Sequence, residues 1–525
     1  MNHTSTLLPI DLQSSARTAR GKMKSIAELA EIAAQAKAQG KTVALCHGTF
    51  DLLHMGHVRH IEAAKREGDL LMVTVTADAF VNKGPGRPVF PDNLRAEMVA
   101  SVEYVDFVAV SHGPTADPLI KTIKPDVYVK GVEYKAEGDD VTGGIVPERE
   151  AVEAHGGRIA FTEELTFSSS NLINRNLNVY EPELNEYLAG MREQDGLARL
   201  LDMVERIKDY RILFVGDAIL DQYSYVEPLG KSAKENMIAT LHQGDELFAG
   251  GVFAAANHVA GFCKEVEIVT LLGERESHEE FIRASLKPNV KFKPLYRPLA
   301  PTTRKSRFVD PYSLRKLFEV YHMDDKPLQG SLYRELNTML KKRIAEFDLV
   351  VVTDFGHGLI DPGTAEILQA KSKLLCVNAQ SNAGNYGFNP VSKYRKADYI
   401  CLDGPEAKLA VHNKYADPAD LAARDLPDLI DCNNVVVTAG KHGCYAWRKK
   451  EGLHRVPALT NSIVDTVGAG DAFFAVSAPF LKAGASMADM GFLGNAAGAM
   501  KVGIVGHRSS IQKPAFVKFL TAMLK

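Results

Sequence analysis

Residues 42–57 read TVALCHGTFDLLHMGH and carry the clearest structural signal in the first part of the chain. The first five residues form a short apolar run that is typical of a buried strand. Residues 47–51 form a turn, and a helix follows through about residue 66. A strand that leads through a turn into a helix is the repeating element of a parallel α/β sheet.

The same alternation continues on both sides of this stretch. A helix is predicted at residues 25–39, with Ser25 as its N-cap and Gly40 ending it. Further strands are predicted from apolar runs at residues 70–76, 105–110, 127–130, 211–216, 266–272, 349–353, 374–378 and 434–438. The pattern indicates an α/β fold with largely parallel sheets.

Two segments, residues 222–250 and 305–323, depart from this alternation. They show few helical periods and many alternating positions, and the second reads as a hairpin around a proline turn. We therefore predict a small β-layer projecting from an α/β body. The predicted organisation is a tail and leading helix (1–40), a first α/β domain (41–180), a helical connector (181–205) and a second α/β domain (206–525).

Composition narrows the class of protein. The 525 residues include 62 Lys plus Arg and 65 Asp plus Glu, a net charge of −3, which argues against nucleic-acid or polybasic membrane partners. No apolar run reaches the ~18 residues of a membrane-spanning helix. The six cysteines are scattered without a Cys-x-x-Cys pair, which argues against zinc and favours a reducing cytoplasm. Residues 1–24, rich in Ser, Thr and Arg, are compatible with a loose tail or a transit peptide.

The first candidate site is the histidine pair His54 and His57. Because they stand three residues apart at a helix start, both imidazoles share one helix face. The helix N-terminus favours an anion, and Gly56 permits close approach of a ligand to the backbone. Imidazoles that donate hydrogen bonds to phosphate oxygens suit a polyphosphate substrate.

With its His-x-Gly-His signature, residues 43–175 resemble the cytidylyltransferase-like nucleotidyltransferases, most of all heptose 1-phosphate adenylyltransferase. The Gly-Thr-Phe-Asp-Leu-Leu-His opening is shared with the glycerol-3-phosphate cytidylyltransferase branch. The resemblance implies a Rossmann-like domain in which a sugar phosphate attacks the α-phosphorus of a nucleoside triphosphate. His54, His57 and Lys83 would be catalytic, and Lys130 would also stabilise the developing charge. The implied nucleotide contacts are Gly48, Thr49, Phe50, His54, His57, Arg95, Lys130, Gly131, Ser168, Ser169 and Ser170.

The second candidate site is the sequence DTVGAGD at residues 465–471. Gly468 and Gly470 allow a tight turn whose N–H groups converge at a helix N-terminus and form an anion hole. Asp471, in the first helical turn, can take a proton from an attacking hydroxyl.

With the motifs around it, the region from residue 211 onward resembles the ribokinase-like (PfkB-type) sugar kinases. The resemblance implies an α/β domain with a small β lid, which often also dimerises, so a homodimer is expected. It implies Asp471 as catalytic base and Gly468, Ala469 and Gly470 as anion hole. Implied sugar contacts are Asp217, Asp221, Gly250, Gly251, Asn257, Lys305 and Arg307, and implied ATP contacts are Thr438, Gly440, Gly443 and Asn495. Asp403 and Glu406 stand where the family associates magnesium through water, so Mg²⁺ is expected with ATP or another triphosphate, and K⁺ is a further candidate in the kinase domain.

The sequence departs from the kinase pattern at several positions. Ala254 replaces an asparagine that usually follows the glycine pair, with Asn257 as the nearest substitute. Asp403 stands in place of another asparagine, and residues 377–382 lack the Asp-Pro-Lys of the heptose kinase branch. The familiar bifunctional heptose enzyme also places its kinase first, whereas here the nucleotidyltransferase region comes first.

The resemblances together imply a cytoplasmic bifunctional enzyme. It would phosphorylate a heptose-type sugar or sugar phosphate and activate a sugar 1-phosphate as an ADP-heptose-like nucleotide sugar, releasing pyrophosphate. Two alternatives stay open: a CTP-dependent transferase fused to a kinase for another sugar or polyol, and a C-terminal domain that binds sugar and regulates without kinase activity.

Overall fold

The computed structural model describes residues 18–81, 87–132, 145–162 and 180–525. The chain divides into two compact units, the first comprising Met1–Glu181 with Val517–Lys525 and the second Pro182–Phe516. Lys83 and Ser168–170, predicted to contact nucleotide, lie outside the described residues.

The first unit is built on a five-stranded sheet. Its strands are β1 (Val43–Gly48), β2 (Leu70–Thr76), β3 (Phe107–Ser111), β4 (Val127–Gly131) and β5 (Arg158–Thr162). The order is β3-β2-β1-β4-β5 and every pairing is parallel. The helices are α1 (Ala19–Lys22), α2 (Ile26–Ala38), α3 (Met55–Lys65), α4 (Asp92–Ala100), α5 (Asp117–Ile123) and α6 (Ile145–Glu153). The strands and the helix predicted at residues 25–39 are confirmed, whereas β5 was not predicted.

Both faces of this sheet are buried, as the continuous apolar runs indicate. Along β1, Val43 and Leu45 join the core under α2, and Ala44 and Cys46 join a second core under α3 and α4. Ser25 begins α2 through a capping box with Glu28, which satisfies backbone donors at the helix start.

The second unit contains a nine-stranded main sheet. Its strands are β6 (Arg211–Gly216), β9 (Glu265–Arg275), β10 (Val290–Pro301), β13 (Leu349–Asp354), β14 (Leu375–Ala379), β15 (Tyr399–Asp403), β16 (Asn434–Thr438), β17 (Cys444–Arg448) and β18 (Gly452–Val456). The order is β10-β9-β6-β13-β14-β15-β16-β17-β18, parallel except for the pairings β16–β17 and β17–β18.

A separate four-stranded sheet, here called the small sheet, contains β7 (Ala218–Lys231), β8 (Ile238–Gly251), β11 (Arg304–Val309) and β12 (Lys316–His322). Its order is β12-β11-β7-β8, in which β7 and β8 form a long antiparallel hairpin and β11 and β12 a second one. This confirms the β-layer predicted from residues 222–250 and 305–323.

The helices of the second unit pack on the faces of the main sheet or connect its strands. They are α7 (Pro182–Glu193), α8 (Gly196–Arg206), α9 (Val252–Ala260), α10 (Glu279–Ser285), α11 (Gly330–Arg343), α12 (Pro362–Lys371), α13 (Gly404–Ala410), α14 (Pro418–Asp420), α15 (Leu426–Leu429), α16 (Ala469–Lys482) and α17 (Met487–Lys501). The last helix of the chain is α18 (Lys513–Leu524). In the part of the chain that the structure describes, no helix is long and apolar enough to cross a membrane.

The strand order creates a crevice in each unit. Chain order reverses between β1 and β4 in the first sheet and between β6 and β13 in the main sheet of the second. Ligands of open α/β sheets bind at such switch points, beside the carboxyl ends of the strands. The histidine motif of the first unit follows β1, and Asp217 of the second unit follows β6, so both lie beside these crevices, whereas the turn at residues 465–471 follows the edge strand β18.

Candidate active sites of the two units

The histidine pair of the first unit lies at the N-terminus of α3, directly after the turn that follows β1. His54 is the N-cap, and its Nδ1 accepts a hydrogen bond from the Gly56 N–H at 3.1 Å. The His54 and His57 rings stack with centroids 4.0 Å apart and planes 17° apart. Burial lowers the pKa of His54. The two imidazoles therefore stand side by side where the helix dipole favours an anion.

Phe50 orders the turn before this helix. It adopts a φ of 48°, in the left-handed region, and its buried ring lies 5.3 Å from that of His57. A Cβ on Gly48 would lie 3.0 Å from the same ring, so glycine leaves room for it. Phe50 thus packs in the core and supports His57.

Lys130 supplies a positive charge at the end of β4, across the crevice from α3. Its Nζ lies 2.7 Å from Oε2 of Glu148 on α6. Burial, followed by the charge of Lys130, lowers the pKa of His60 to about 4 and that of His47 to about 3. These buried imidazoles are neutral at pH 7. Gly131, next to Lys130, ends β4.

Arg95, a predicted nucleotide contact, holds the backbone around the turn in this structure. Its side chain is fully buried on α4, and its donors go to the carbonyls of Phe90 and Thr76 at 2.8 Å each, to the Thr49 carbonyl and to the Asp78 carboxylate. Arg95 therefore fixes the turn after β1 to the end of β2. Burial and these bonds occupy the guanidinium in shaping the turn, and the nucleotide contact expected of Arg95 stays a prediction.

Asp51 completes this turn and was missed by the sequence reading. Its Oδ1 accepts a hydrogen bond from the Val89 N–H at 2.6 Å, and its Oδ2 lies 3.8 Å from Nη1 of Arg87. The aspartate of the Gly-Thr-Phe-Asp sequence therefore ties residues 87–90 to the histidine turn.

In the second unit, the turn at residues 465–471 opens α16. Gly468 has a φ of +76°, and a Cβ there would lie 2.4 Å from Cε1 of His507. Asp471 is buried in the first helical turn, and Gln380 donates from Nε2 to its Oδ1 at 2.6 Å. Burial raises the pKa of Asp471, as a general base for a hydroxyl proton requires. Gln380 was not predicted as a site residue. It belongs to residues 377–382, which depart from the family pattern, and that departure was the only sign in the sequence that this stretch differs.

Asp221 forms the centre of the predicted sugar site, near the end of the small sheet. Its carboxylate accepts a hydrogen bond from Arg307 and lies 3.4 Å from Nε2 of His507. A Cβ on Gly250 would lie 2.0 Å from the carboxylate, so only glycine fits beside it. Gly251 has a φ of +52° and its absent side chain leaves room for the backbone of Asp217.

Asp217 faces the loop after β13. Its Oδ2 accepts hydrogen bonds from the N–H groups of Phe355 and His357 at 2.8 and 3.3 Å. Burial, followed by the nearby charge of Asp354, raises the pKa of Asp217. The buried ammonium of Lys305 lies 5.8 Å from the Phe355 ring and 5.0 Å from the Tyr321 ring. These contacts bring Asp217 and Lys305 to the same loop.

Two predicted ligand contacts are engaged elsewhere. Asn257 donates to the Ser285 carbonyl at 2.8 Å and accepts from the Lys287 N–H at 3.0 Å, so its amide connects α9 to the end of α10. Asn495 donates to the Val456 and Pro457 carbonyls at 3.2 and 3.1 Å. In this structure both side chains hold backbone segments together, and the ligand contacts expected of them stay predictions.

The predicted ATP and metal residues meet at the carboxyl ends of β15 and β16, where Asp403 pairs in register with Thr438. Asp403 and Glu406 form a capping box, with Asp403 Oδ1 2.7 Å from the Glu406 N–H. Burial, followed by the Asp403 charge, raises the pKa of Glu406. Two neighbouring carboxyl groups fit Mg²⁺, which commonly takes one or two protein carboxylates together with substrate phosphates.

The two glycines after β16 shape the turn into β17. Gly440 has a φ of +54°, and Gly443 has a φ of +83° with room for no Cβ, since one would lie 1.9 Å from the Val456 carbonyl oxygen. Gly443 is therefore required by packing within the sheet itself.

Comparison with known proteins finds a family model for each of the two regions. The family model for cytidylyltransferase-like proteins matches residues 45–175, and the model for the pfkB family carbohydrate kinases matches residues 212–514. "Bifunctional protein HldE" of Geobacter sulfurreducens is 38% identical over 189 residues, and that of Trichlorobacter lovleyi is 36% identical over 190 residues. Each match covers 34% of this chain and 37% of the relative, so the aligned part spans little more than a third of these curated relatives.

Among solved structures, the tetrameric inhibited form of phosphofructokinase-2 from Escherichia coli matches at 17% identity and a TM-score of 0.46, covering 59% of this chain and 99% of that one. Arabidopsis thaliana ribokinase complexed with ribose and ATP matches at 18% identity and a TM-score of 0.45, with the same coverage. Since the kinase model spans more than half of the residues, this chain belongs to the pfkB family of carbohydrate kinases and carries a cytidylyltransferase-like domain ahead of its kinase domain.

Proposed function

We propose that the chain is a bifunctional sugar-activating enzyme, with a sugar kinase in the second unit and a sugar 1-phosphate nucleotidyltransferase in the first. The observation that carries the proposal is that a phosphate-binding helix N-terminus follows a strand at the switch point of the first sheet, and that a second helix N-terminus bears a buried carboxylate, Asp471, beside an anion-hole turn. Both reactions are displacements at phosphorus, in which positioning and charge stabilisation provide the catalysis.

In the kinase reaction, a hydroxyl of the sugar attacks the γ-phosphorus of ATP. Asp471 takes the hydroxyl proton, and the N–H groups of Gly468 and Gly470 hold the γ-phosphate oxygens. The Ala469 N–H between them donates to the Thr466 carbonyl at 3.2 Å and would join them by turning from it. Asp403 and Glu406 would hold Mg²⁺, which neutralises phosphate charge. Asp217, Asp221 and Lys305 bind and orient the sugar hydroxyls. The new bond joins the sugar oxygen to phosphorus, and ADP leaves.

In the nucleotidyltransferase reaction, an oxygen of the sugar 1-phosphate attacks the α-phosphorus and pyrophosphate leaves. His54 and His57 hold the triphosphate at the start of α3, and Lys130 stabilises charge on the opposite side of the crevice. Lys83, which lies outside the described residues, is proposed to assist Lys130. The resemblance of the histidine motif to heptose 1-phosphate adenylyltransferase supports ATP and a heptose-type sugar as substrates.

The two activities can be separated by reciprocal variants. We expect Asp471→Asn to lower ADP formation by about 10²- to 10⁴-fold while leaving pyrophosphate release unchanged. His57→Ala should do the reverse, so each variant controls for the folding of the other. Wild-type ADP formation by the Asp471→Asn protein would refute the kinase assignment, and undiminished pyrophosphate release by the His57→Ala protein would refute the transferase assignment.

The substrates are identified with panels. ATP·Mg is offered with sugars and sugar phosphates, and four nucleoside triphosphates are offered with sugar 1-phosphates, with products read by mass spectrometry. Preference for CTP would indicate the cytidylyltransferase alternative. Absence of ADP with every acceptor would indicate that the second unit binds sugar and regulates.

The small sheet supports a homodimer. It exposes apolar side chains on both edge strands, Ile238 and Leu241 on β8 and Phe318 and Val320 on β12. We expect light scattering to give twice the chain mass, and Phe318→Glu to give the monomer mass. A monomeric wild-type protein would refute this.

A further inference from the structure

The ammonium of Lys501 lies in a cage of backbone carbonyls behind the anion-hole turn. Its Nζ donates to the carbonyl oxygens of Val467 and Gly506 at 2.7 Å each and to that of Ile504 at 3.4 Å. The residue is completely buried at the end of α17. Three carbonyls satisfy the three N–H donors of an ammonium. Val467 immediately precedes Gly468, so the cage holds the turn from behind.

The carboxylate of the turn is engaged by other groups. Asp465 Oδ1 lies 2.6 Å from the Lys316 ammonium, and Asp465 Oδ2 accepts from the Tyr223 hydroxyl at 2.6 Å and the Gly506 N–H at 2.8 Å. Asp465 thus holds the turn from the side of the small sheet. The cation that the three carbonyls surround is the Lys501 ammonium.

The charges that face Lys501 favour its protonated form. Burial lowers the pKa of Lys501 to about 8, and the carboxylates of Asp465, Asp471 and Asp221 oppose this, while the Lys316 ammonium adds to it. The group therefore carries its charge at pH 7 and below.

The three carbonyls around Lys501 bear on the expectation that the kinase domain binds K⁺. Converging backbone carbonyls are the ligands that bind K⁺ in proteins. Here the point on which the carbonyls converge is occupied by Nζ, and a second cation in the same buried shell would be repelled by the first. The residues present therefore do not fit a K⁺ ion at the back of this turn.

We propose that Lys501 is a tethered cation that positions the anion hole, and that phosphoryl transfer by this chain is independent of monovalent cations. It fixes the Val467 carbonyl and so orients the next peptide units, whose N–H groups face the phosphate. It also places a positive charge behind a site that binds anions. Lys501 is a positioning residue, and this inference rests on the proposed kinase function.

The first test compares salts. Kinase assays use ATP as its Tris salt with an acceptor found in the panel, in KCl or in tetramethylammonium chloride at equal ionic strength. We expect the wild-type rate to be the same in both salts. A wild-type enzyme that needs K⁺ would overturn the proposal.

The second test opens the cage. Removing one preorganised electrostatic group from a phosphate site costs about 100-fold in kcat, and we expect that loss for Lys501→Ala in tetramethylammonium chloride. K⁺ or ammonium, entering the vacated cage, should restore a large part of the rate. Lys482→Ala, at the other end of α16, is the matched control and should keep wild-type activity in both salts. A folded Lys501→Ala protein that ignores K⁺ and ammonium would overturn the proposal.

A third readout does not depend on catalysis. The melting temperature of Lys501→Ala should rise when KCl replaces tetramethylammonium chloride, whereas that of the wild type should not change. If no acceptor supports ADP formation, the kinase proposal fails but this comparison still decides the cation proposal. If Lys501→Ala does not fold, Lys501→Met is used in its place. A melting temperature of the wild type that depends on K⁺ would by itself refute the inference.

Discussion

The anion-hole turn contains two glycines, and the sequence motif does not distinguish their roles. The structure predicts that replacing one of them lowers the free energy of unfolding and that replacing the other raises it. Gly468 adopts a φ of +76° and its Cβ would lie 2.4 Å from the His507 ring, whereas a Cβ on Gly470 would meet nothing within 4 Å. Gly468→Ala and Gly470→Ala therefore add the same methyl group two residues apart, and each serves as the control for the other.

The magnitude for Gly468→Ala has two parts. Holding an alanine in the left-handed region costs about 1–2 kcal/mol. Moving His507 separates its Nε2 from the Asp221 carboxylate, 3.4 Å away and equally buried, which costs about 1–3 kcal/mol. We expect a loss of about 3 kcal/mol in the free energy of unfolding. Gly470→Ala should gain up to about 1 kcal/mol because alanine is the better helix former.

The assay uses the fluorescence of Trp447, the single tryptophan of the chain, which lies on β17 and reports on the second unit alone. Urea unfolding of the wild type and both variants gives the free energies. In a His507→Ala background, where the pair with Asp221 is already absent, Gly468→Ala should cost only the ~1–2 kcal/mol of the left-handed alanine. Equal stabilities of Gly468→Ala and wild type, or a comparable loss for Gly470→Ala, would refute the reasoning.

Arg95→Ala should destabilise the first unit by about 1–3 kcal/mol, because it leaves three carbonyls without their buried donor, whereas the partly exposed Asp78 carboxylate is solvated by water; hydrogen exchange of α4 and the turn after β1 measures this, and unchanged protection would contradict it. Gly250→Ala should lower kinase kcat/KM by about 100-fold by displacing the sugar-site carboxylate, whereas Gly244→Ala on the same strand, where the added methyl meets nothing, should leave it unchanged; equal rates would contradict this. For Asp465, burial alone would raise the pKa, but hydrogen bonds, first of all from Lys316, lower it to about 2. Its stabilising contribution is thus full above about pH 4 and is lost as pH falls toward 2, so urea unfolding of wild type and Asp465→Asn should converge over that window, and a constant difference would contradict this.

Local sequence patterns were sufficient to predict most of the fold. Apolar runs bounded by turns placed β1, β2 and β6 to within two residues, because a strand buried on both faces must be apolar along its length. The small sheet was identified by its lack of helical periods, and its strands β7 and β8 are partly or fully exposed over much of their length, with β12 exposed almost throughout. β5 was not predicted because it is an edge strand, and three of its five residues are partly or fully exposed.

The candidate sites were predictable where function depends on local geometry. His54 and His57 share a helix face, and Gly468 needs a positive φ, so motif spacing identifies both. Arg95, Asn257 and Asn495 were assigned to ligands by analogy, and the structure shows that they donate to backbone carbonyls, and Arg95 also to the Asp78 carboxylate. Nothing local distinguishes a polar side chain that binds a ligand from one that holds two segments together.

The sequence by itself determined the two α/β units, the small sheet and the two helix starts proposed to bind phosphate, because periodicity, turn residues and helix caps act over a few neighbouring residues. Only the tertiary structure decided which side chains surround those helix starts. Gln380 reaches Asp471 across 91 positions of the chain, and Lys501 enters a cage whose first carbonyl is 34 positions away. The physical reason is that a hydrogen bond or an ion pair depends on distance in space, and distance in space is set by the strand order and the packing of the whole sheet.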